Sequence, residues 1–202
     1  MMPPILLQGG RVIDPSRDMD GAADVLIQDG KIASVGRGLT APDGAIVRNM
    51  KGKIVTPGLI DLHAHVFPYG SAIGIPADEL VPFQATTTLV SAGDAGANNI
   101  AAFRRAIVGQ TRARLYAFVH IANIGLAGFP VPELYNIDFA QTDAAAKAVA
   151  ENADLVLGIK VRMSENVIAK ARPGAAEARH PGVRDRRHRR QGHVPYRRGR
   201  DA

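Results

Sequence analysis

GLIDLHAHVF, residues 58–67, ends an apolar run with two histidines one residue apart. Side chains alternate faces along a β-strand, so a strand here points His63 and His65 the same way with their rings close together. Two neutral imidazoles converging on one point are costly unless something sits between them. A divalent metal is the usual occupant, since imidazole is its commonest nitrogen ligand. A strand end carrying two surface histidines is the plainer reading of the same letters.

Downstream, apolar strands and helical stretches take turns. LIDLHAHV (59–66) leads to PADELVPFQ (76–84), ATTTLVSAG (85–93) and the helix candidate ANNIAAFRRAIVG (97–109). ARLYAFVHIAN (113–123) follows, then a loop rich in Gly and Pro, the helix candidate TDAAAKAVAENA (142–153) and DLVLGIKVRM (154–163). Strands apolar enough to be buried on both faces, alternating with helices, predict a parallel α/β sheet or barrel. Upstream, ILLQGGRVID, ADVLIQDGKIASVG and GAIVRNMKGKIVTPG, all within residues 5–58, read as short strands with tight turns. Asp29 and Gly30, between DVLIQ and KIASV, favour the type I′ turn of a two-residue hairpin. No internal repeat suggests a solenoid.

Of the 202 residues 46% are hydrophobic, which suits a globular protein, and none is cysteine. Disulfides and thiolate ligands are thereby excluded, leaving His, Asp, Glu and modified Lys for any metal. No apolar run reaches the length of a bilayer span and the start MMPPILLQGG lacks the layout of a signal peptide, so a cytoplasmic location and no membrane partner are expected. The formal net charge of +6 is unevenly placed, −1 over residues 1–170 and +7 over residues 171–202. The basic balance describes the tail and says nothing about the partners of the body.

PGLIDLHAHV, behind a β-rich leader that opens ILLQGGRVID, resembles the amidohydrolase superfamily, specifically its dihydroorotase and amino-acyl deacetylase-like branches, over residues 5 to about 170. The resemblance implies an α/β fold: a (β/α)8 barrel of TIM type with one or two metals at the C-terminal ends of its strands, beside a small β-sandwich. It divides the chain into residues 1–56, the N-terminal part of the sandwich, residues 57–170, the first four β/α units, and the tail 171–202. It matches His63 and His65 to ligands on the first barrel strand. It matches Lys160, in LGIKVRM at the end of the fourth, to a carbamylated lysine bridging two metals. Read from the residues alone, Lys160 snorkels from a strand end or pairs with an acid. A desolvated lysine of lowered pKa can instead add CO2 and become an anionic carboxylate mimic. The implied cofactors are one or two divalent ions, zinc foremost, and that carbamate. The implied activity is hydrolysis of a cyclic amide, an N-acyl amino acid or an acyl ester through metal-activated water.

The family's general acid/base aspartate and two further histidines lie on later strands, so the catalytic and substrate-binding residues stay unassigned. Asp61, on the strand face of His63 but deeper, reads as ligand-orienting or structural. Asp94 and His120 fall near strand ends facing the site and read as supporting or structural. Asn123, Arg162 and Asn166 are lone polar residues that could touch substrate but carry no motif.

A (β/α)8 barrel takes about 250 residues, and residues 57–170 have room for four strands only. The chain is therefore expected to be C-terminally truncated and inactive alone, with open sheet edges that invite self-association. The tail has no Leu, Ile, Met or Phe and cannot build a core. It reads as an out-of-frame translation, a disordered extension or an arginine-rich nucleic-acid arm. Shifting the reading frame permits an amphipathic helix followed by a strand ending in histidine, which favours the first. Three functions stay open: the metal-dependent hydrolase, a non-catalytic fragment or pseudoenzyme, and nucleic-acid binding through the tail. The near-neutral body counts against the last.

Overall fold

The computed structural model describes residues 2–164 and Val167; the expectations for Asn166 and for the tail 171–202 lie outside the described residues. The first five strands are β1 (Ile5–Asp14), β2 (Met19–Gln28), β3 (Lys31–Gly36), β4 (Ile46–Asn49) and β5 (Ile54–Val55). They form one sheet in the order β3-β2-β1-β4, with β5 also on β1. β1, β2 and β3 pair antiparallel, whereas β4 and β5 run parallel to β1. Asp29 and Gly30 both take left-handed φ, 52° and 72°, the signature of the type I′ turn. Buried Asp24 accepts the Gly9 N–H at 2.8 Å and the Leu39 N–H at 3.0 Å. The first of these bonds satisfies a backbone donor where the β1 ladder bulges between Leu7 and Gly10, and the second holds the chain just after β3. Val12, Ala23 and Val25 form the small core beneath.

The second sheet is wholly parallel, in the order β6-β7-β8-β9: β6 (Leu59–Ala64), β7 (Thr86–Gly96), β8 (Arg114–His120) and β9 (Val156–Lys160). Helices α1 (Ala77–Gln84), α2 (Ile100–Phe103) and α3 (Thr142–Glu151) lie in the connections. Leu115, Ala117 and Val119 alternate along β8 and pack with Leu89, Phe103, Ala145 and Ala148 in the large core, which fixes the helix-facing side of the sheet. Phe103 meets Phe67 edge to face, ring centroids 5.2 Å apart. His120 belongs to the other side.

Two of the sequence expectations need correction. The helix expected over 97–109 starts only at Ile100, because Asn99 bonds the Gly96 N–H and the Ile124 carbonyl and holds the preceding residues in a turn. It then widens into a π turn over Arg104–Val108. Strict alternation also fails along β6, whose register against β7 slips between Asp61↔Leu89 and Ala64↔Ser91. Asp61 pairs with a residue of the helix-facing core, so it does not share the face of His63 in the way simple alternation implies.

The edge strands leave apolar side chains open. Ile60 and Leu62 on β6 are 59% and 63% exposed, and Leu157 and Ile159 on β9 are 53% and 43% exposed. Among the described residues no helix is long and apolar enough to cross a membrane.

Candidate metal centre

The C-terminal ends of the parallel strands gather the polar groups. His63 is the penultimate residue of β6 and His65 follows just past its end, ring centroids 5.4 Å apart. Asp61 turns back so that its Oδ1 accepts the His63 N–H at 2.9 Å, a local bond that shapes the strand end. Burial lowers the pKa of His63, and the charges of Lys160 and His65 lower it further, which favours the neutral ring a metal requires.

His65 is held by a group from the neighbouring strand. Its Nδ1 lies 2.7 Å from Oδ1 of Asp94, a residue with no solvent exposure. An ionised carboxylate only accepts, so Nδ1 carries the proton and Nε2 keeps the free lone pair. Asp94 also accepts the Val66 N–H at 2.9 Å and the hydroxyls of Ser91 at 2.8 Å and Ser71 at 3.3 Å. Four donors on one buried carboxylate fix its position and offset its desolvation. The sequence reading placed Asp94 near the site in a supporting or structural role; the contact with His65 specifies that role. Ser71 and Ser91 were missed, since isolated serines carry no motif.

Lys160 comes to the same end through a slip in β9. Ala117 pairs with Val156 but Phe118 pairs with Gly158, so Leu157 is an extra residue and Lys160 shares the side of His120, its partner across the ladder. A Cβ on Gly93 would fall 2.7 Å from Cγ of Lys160 and 2.9 Å from Cδ2 of His120, so the lysine stem and the imidazole close over a glycine whose φ is +90°. His120 is buried, and desolvation lowers its pKa against the opposing pull of Glu133. Its Nδ1 accepts the Ala122 N–H at 3.0 Å, leaving Nε2–H to face Oε1 of Glu133 at 3.4 Å. Oε1 of Glu133 is also 2.8 Å from Nε of Arg162, whose Nη2 donates to Oε2 at 2.9 Å. Glu133, on the long loop after β8, was invisible to the sequence reading. Asn123 bonds Asn98 and Phe139 through its backbone, while its buried side-chain Oδ1 has no hydrogen-bond partner among the described residues.

Among the described residues no three His, Asp or Glu side chains gather as a metal-holding group. The donors on offer are His63, His65 and Lys160. The imidazoles fit a divalent cation in tautomer and protonation, as the Asp94 bond and the lowered His63 pKa show. Lys160 fits only once its ammonium is converted to a donor.

A parallel sheet bearing His-x-His at the C-terminal end of its first strand and a lysine at that of its fourth is the arrangement that the resemblance to the amidohydrolase superfamily implies, and proteins of that superfamily are similar to this chain. It is 40% identical over 145 residues to a deacetylase of Agrobacterium fabrum, an alignment covering 71% of this chain and 36% of that protein. It is 53% identical over 62 residues to a dihydroorotase of Geobacter sulfurreducens, covering 31% of this chain and 15% of the relative. The crystal structure of a dihydroorotase superposes with a TM-score of 0.70 at 36% identity, over 82% of this chain and 44% of that one. That of an adenine deaminase gives 0.71 at 26% identity, over 87% and 46%. No protein-family model matches the chain. The parallel sheet is thus part of a TIM-type barrel, and the chain spans little more than a third of the curated deacetylase it matches.

Proposed function

We propose that this chain contributes the first metal ligands of an amidohydrolase that cleaves a cyclic amide, an N-acyl amino acid or an acyl ester. The observation that carries the reading is the buried Asp94–His65 bond, which keeps the proton on Nδ1 and leaves Nε2 as a ligand beside neutral His63. His63 and His65 hold the metal, zinc in this reading, through ring nitrogens. Lys160 Nζ, once deprotonated, bonds to the carbon of CO2 and loses a proton, giving a carbamate whose oxygens complete the donor set. When bound, the metal supplies Lewis-acid activation of water and of the scissile carbonyl. The same reading sets the enzyme in the cytoplasm.

The small donor set among the described residues favours a second reading, in which the 202-residue chain alone does not turn over substrate. Its exposed edge residues Ile60, Leu62, Leu157 and Ile159 fit self-association. Zinc uptake by equilibrium dialysis separates these ideas. The chain is expected to take up zinc weakly, and His63→Ala, His65→Ala and Lys160→Ala each to lower the uptake. Equal uptake by all four proteins would sink the ligand assignment. Hydrolysis of N-acetyl amino acids by this chain is expected to be undetectable, and measurable turnover would refute the second reading.

A further inference from the structure

β6 and β9 each pair on one side only, with β7 and β8, and among the described residues no strand meets the other side of either. They run the same way and are of similar length, six residues and five. The face turned away from the helices is apolar as well. Ile60 pairs with Thr88, one step from the helix-facing pair of Asp61 with Leu89, so it lies on that other face. Tyr116 and Phe118, which alternate with Leu115, Ala117 and Val119 on β8, share the face and are half-buried. An open edge beside an open apolar face leaves backbone and side chains in water together. A lone strand laid on one edge would satisfy the backbone there and leave the face uncovered, whereas a second sheet of the same direction and twist covers both. Four strands are also half of the eight at which a parallel barrel fills its interior with its own side chains. A twofold axis along the barrel lays β9 of one protomer beside β6 of its partner and repeats the contact on the far side, which leaves no edge. Pairing β6 with β6 would leave both β9 edges open.

We propose that two copies of this chain close one eight-stranded barrel through reciprocal β9–β6 ladders, with the His63 and His65 pairs of both protomers in a single mouth. His63 is the penultimate residue of β6 and Lys160 the last of β9, so the new ladder sets the lysine of one protomer beside the histidine pair of its partner. The closed barrel thus deepens the self-association reading above, and the shared mouth rests in addition on the ligand assignment. Sedimentation equilibrium of the full chain in metal-free buffer tests the first part. A monomer–dimer equilibrium is expected, and Ile60→Glu on β6 and Leu157→Glu on β9, at sites 59% and 53% exposed in the single chain, should each weaken it at least about tenfold with an unchanged circular dichroism spectrum, since closure buries an unpaired charge. Ile32→Glu, on β3 of the other sheet and 61% exposed, should leave it unchanged. A monomer, an open-ended series of larger species, a dimer indifferent to both seam substitutions or one lost with Ile32→Glu overturns the proposal. Zinc should tighten the dimer of the parent at least about tenfold, because a metal reached from both protomers favours the associated state. His65→Ala should dimerise like the parent without metal and lose that tightening. Zinc taken up with no effect on dimerisation overturns the shared mouth. Failure of zinc uptake strikes the ligand assignment and the shared mouth with it, and the metal-free sedimentation still decides the barrel.

Discussion

Asp94→Asn removes a charge without changing shape, and its outcome follows from the four donors around the carboxylate. Oδ1 faces the His65 ring and the Ser71 hydroxyl; Oδ2 faces the Val66 N–H and the Ser91 hydroxyl. Hydroxyls rotate to accept, but the Val66 N–H cannot, so the amide oxygen must stay on its side and the NH2 must face His65. The ring can answer only by giving up the Nδ1 proton and taking it on Nε2. Two charge-assisted bonds then become neutral ones and two reverse their sense, a loss of about 2–3 kcal/mol at roughly 1 kcal/mol or less per bond. The chain should stay folded with a lower urea midpoint. The ligand lone pair, however, now points at the introduced amide in place of the metal. Zinc affinity should fall about 10–100-fold, the usual effect of losing a ligand's orienting partner. Imidazole 15N NMR of the metal-free protein should report Nδ1–H in the parent and Nε2–H in the variant. An unchanged tautomer with unchanged zinc binding would refute the reasoning.

Gly93→Ala should destabilise by about 2–4 kcal/mol in chemical denaturation and lower zinc uptake, because its Cβ would overlap Lys160 and His120 at a left-handed φ. Phe103→Ala, which empties a fully buried ring site against Phe67, should cost about 3–5 kcal/mol. Phe83→Ala, at a site 90% exposed, should stay within about 0.5 kcal/mol. Asp78 accepts from the Thr111 hydroxyl and from the Arg112 and Ala113 N–H groups, which hold its pKa below the ordinary value. Its stabilisation is therefore present above the unfolded carboxylate pKa and lost as pH falls through the lower folded one. Thermal unfolding of Asp78→Asn should accordingly lie below that of the parent at neutral pH and converge with it in strong acid.

The architecture and the closeness of the His63 and His65 rings could be read from the letters because they depend on local order. Four apolar runs spaced by helix-forming stretches leave few options but parallel strands, and Asp29-Gly30 dictates its own turn. His63 and His65 announce themselves by spacing. Short polar residues such as Ser71 and Ser91 carried no such signal, and Glu133 sat in a loop whose path no periodicity describes.

Register was beyond the letters altogether. Counting by twos along β9 points Lys160 the same way as Val156, into the helix-facing core; the extra residue at Leu157 turns it to the side of His120. On β6 the same counting joins Asp61 to His63, and the slip against β7 separates them. A bulge is settled by what the neighbouring strand offers to pair with, so a single strand's sequence cannot contain it. Burial of Asp94 is of the same kind. Its four donors come from positions 65, 66, 71 and 91, and a carboxylate becomes worth burying only when the fold has brought them together.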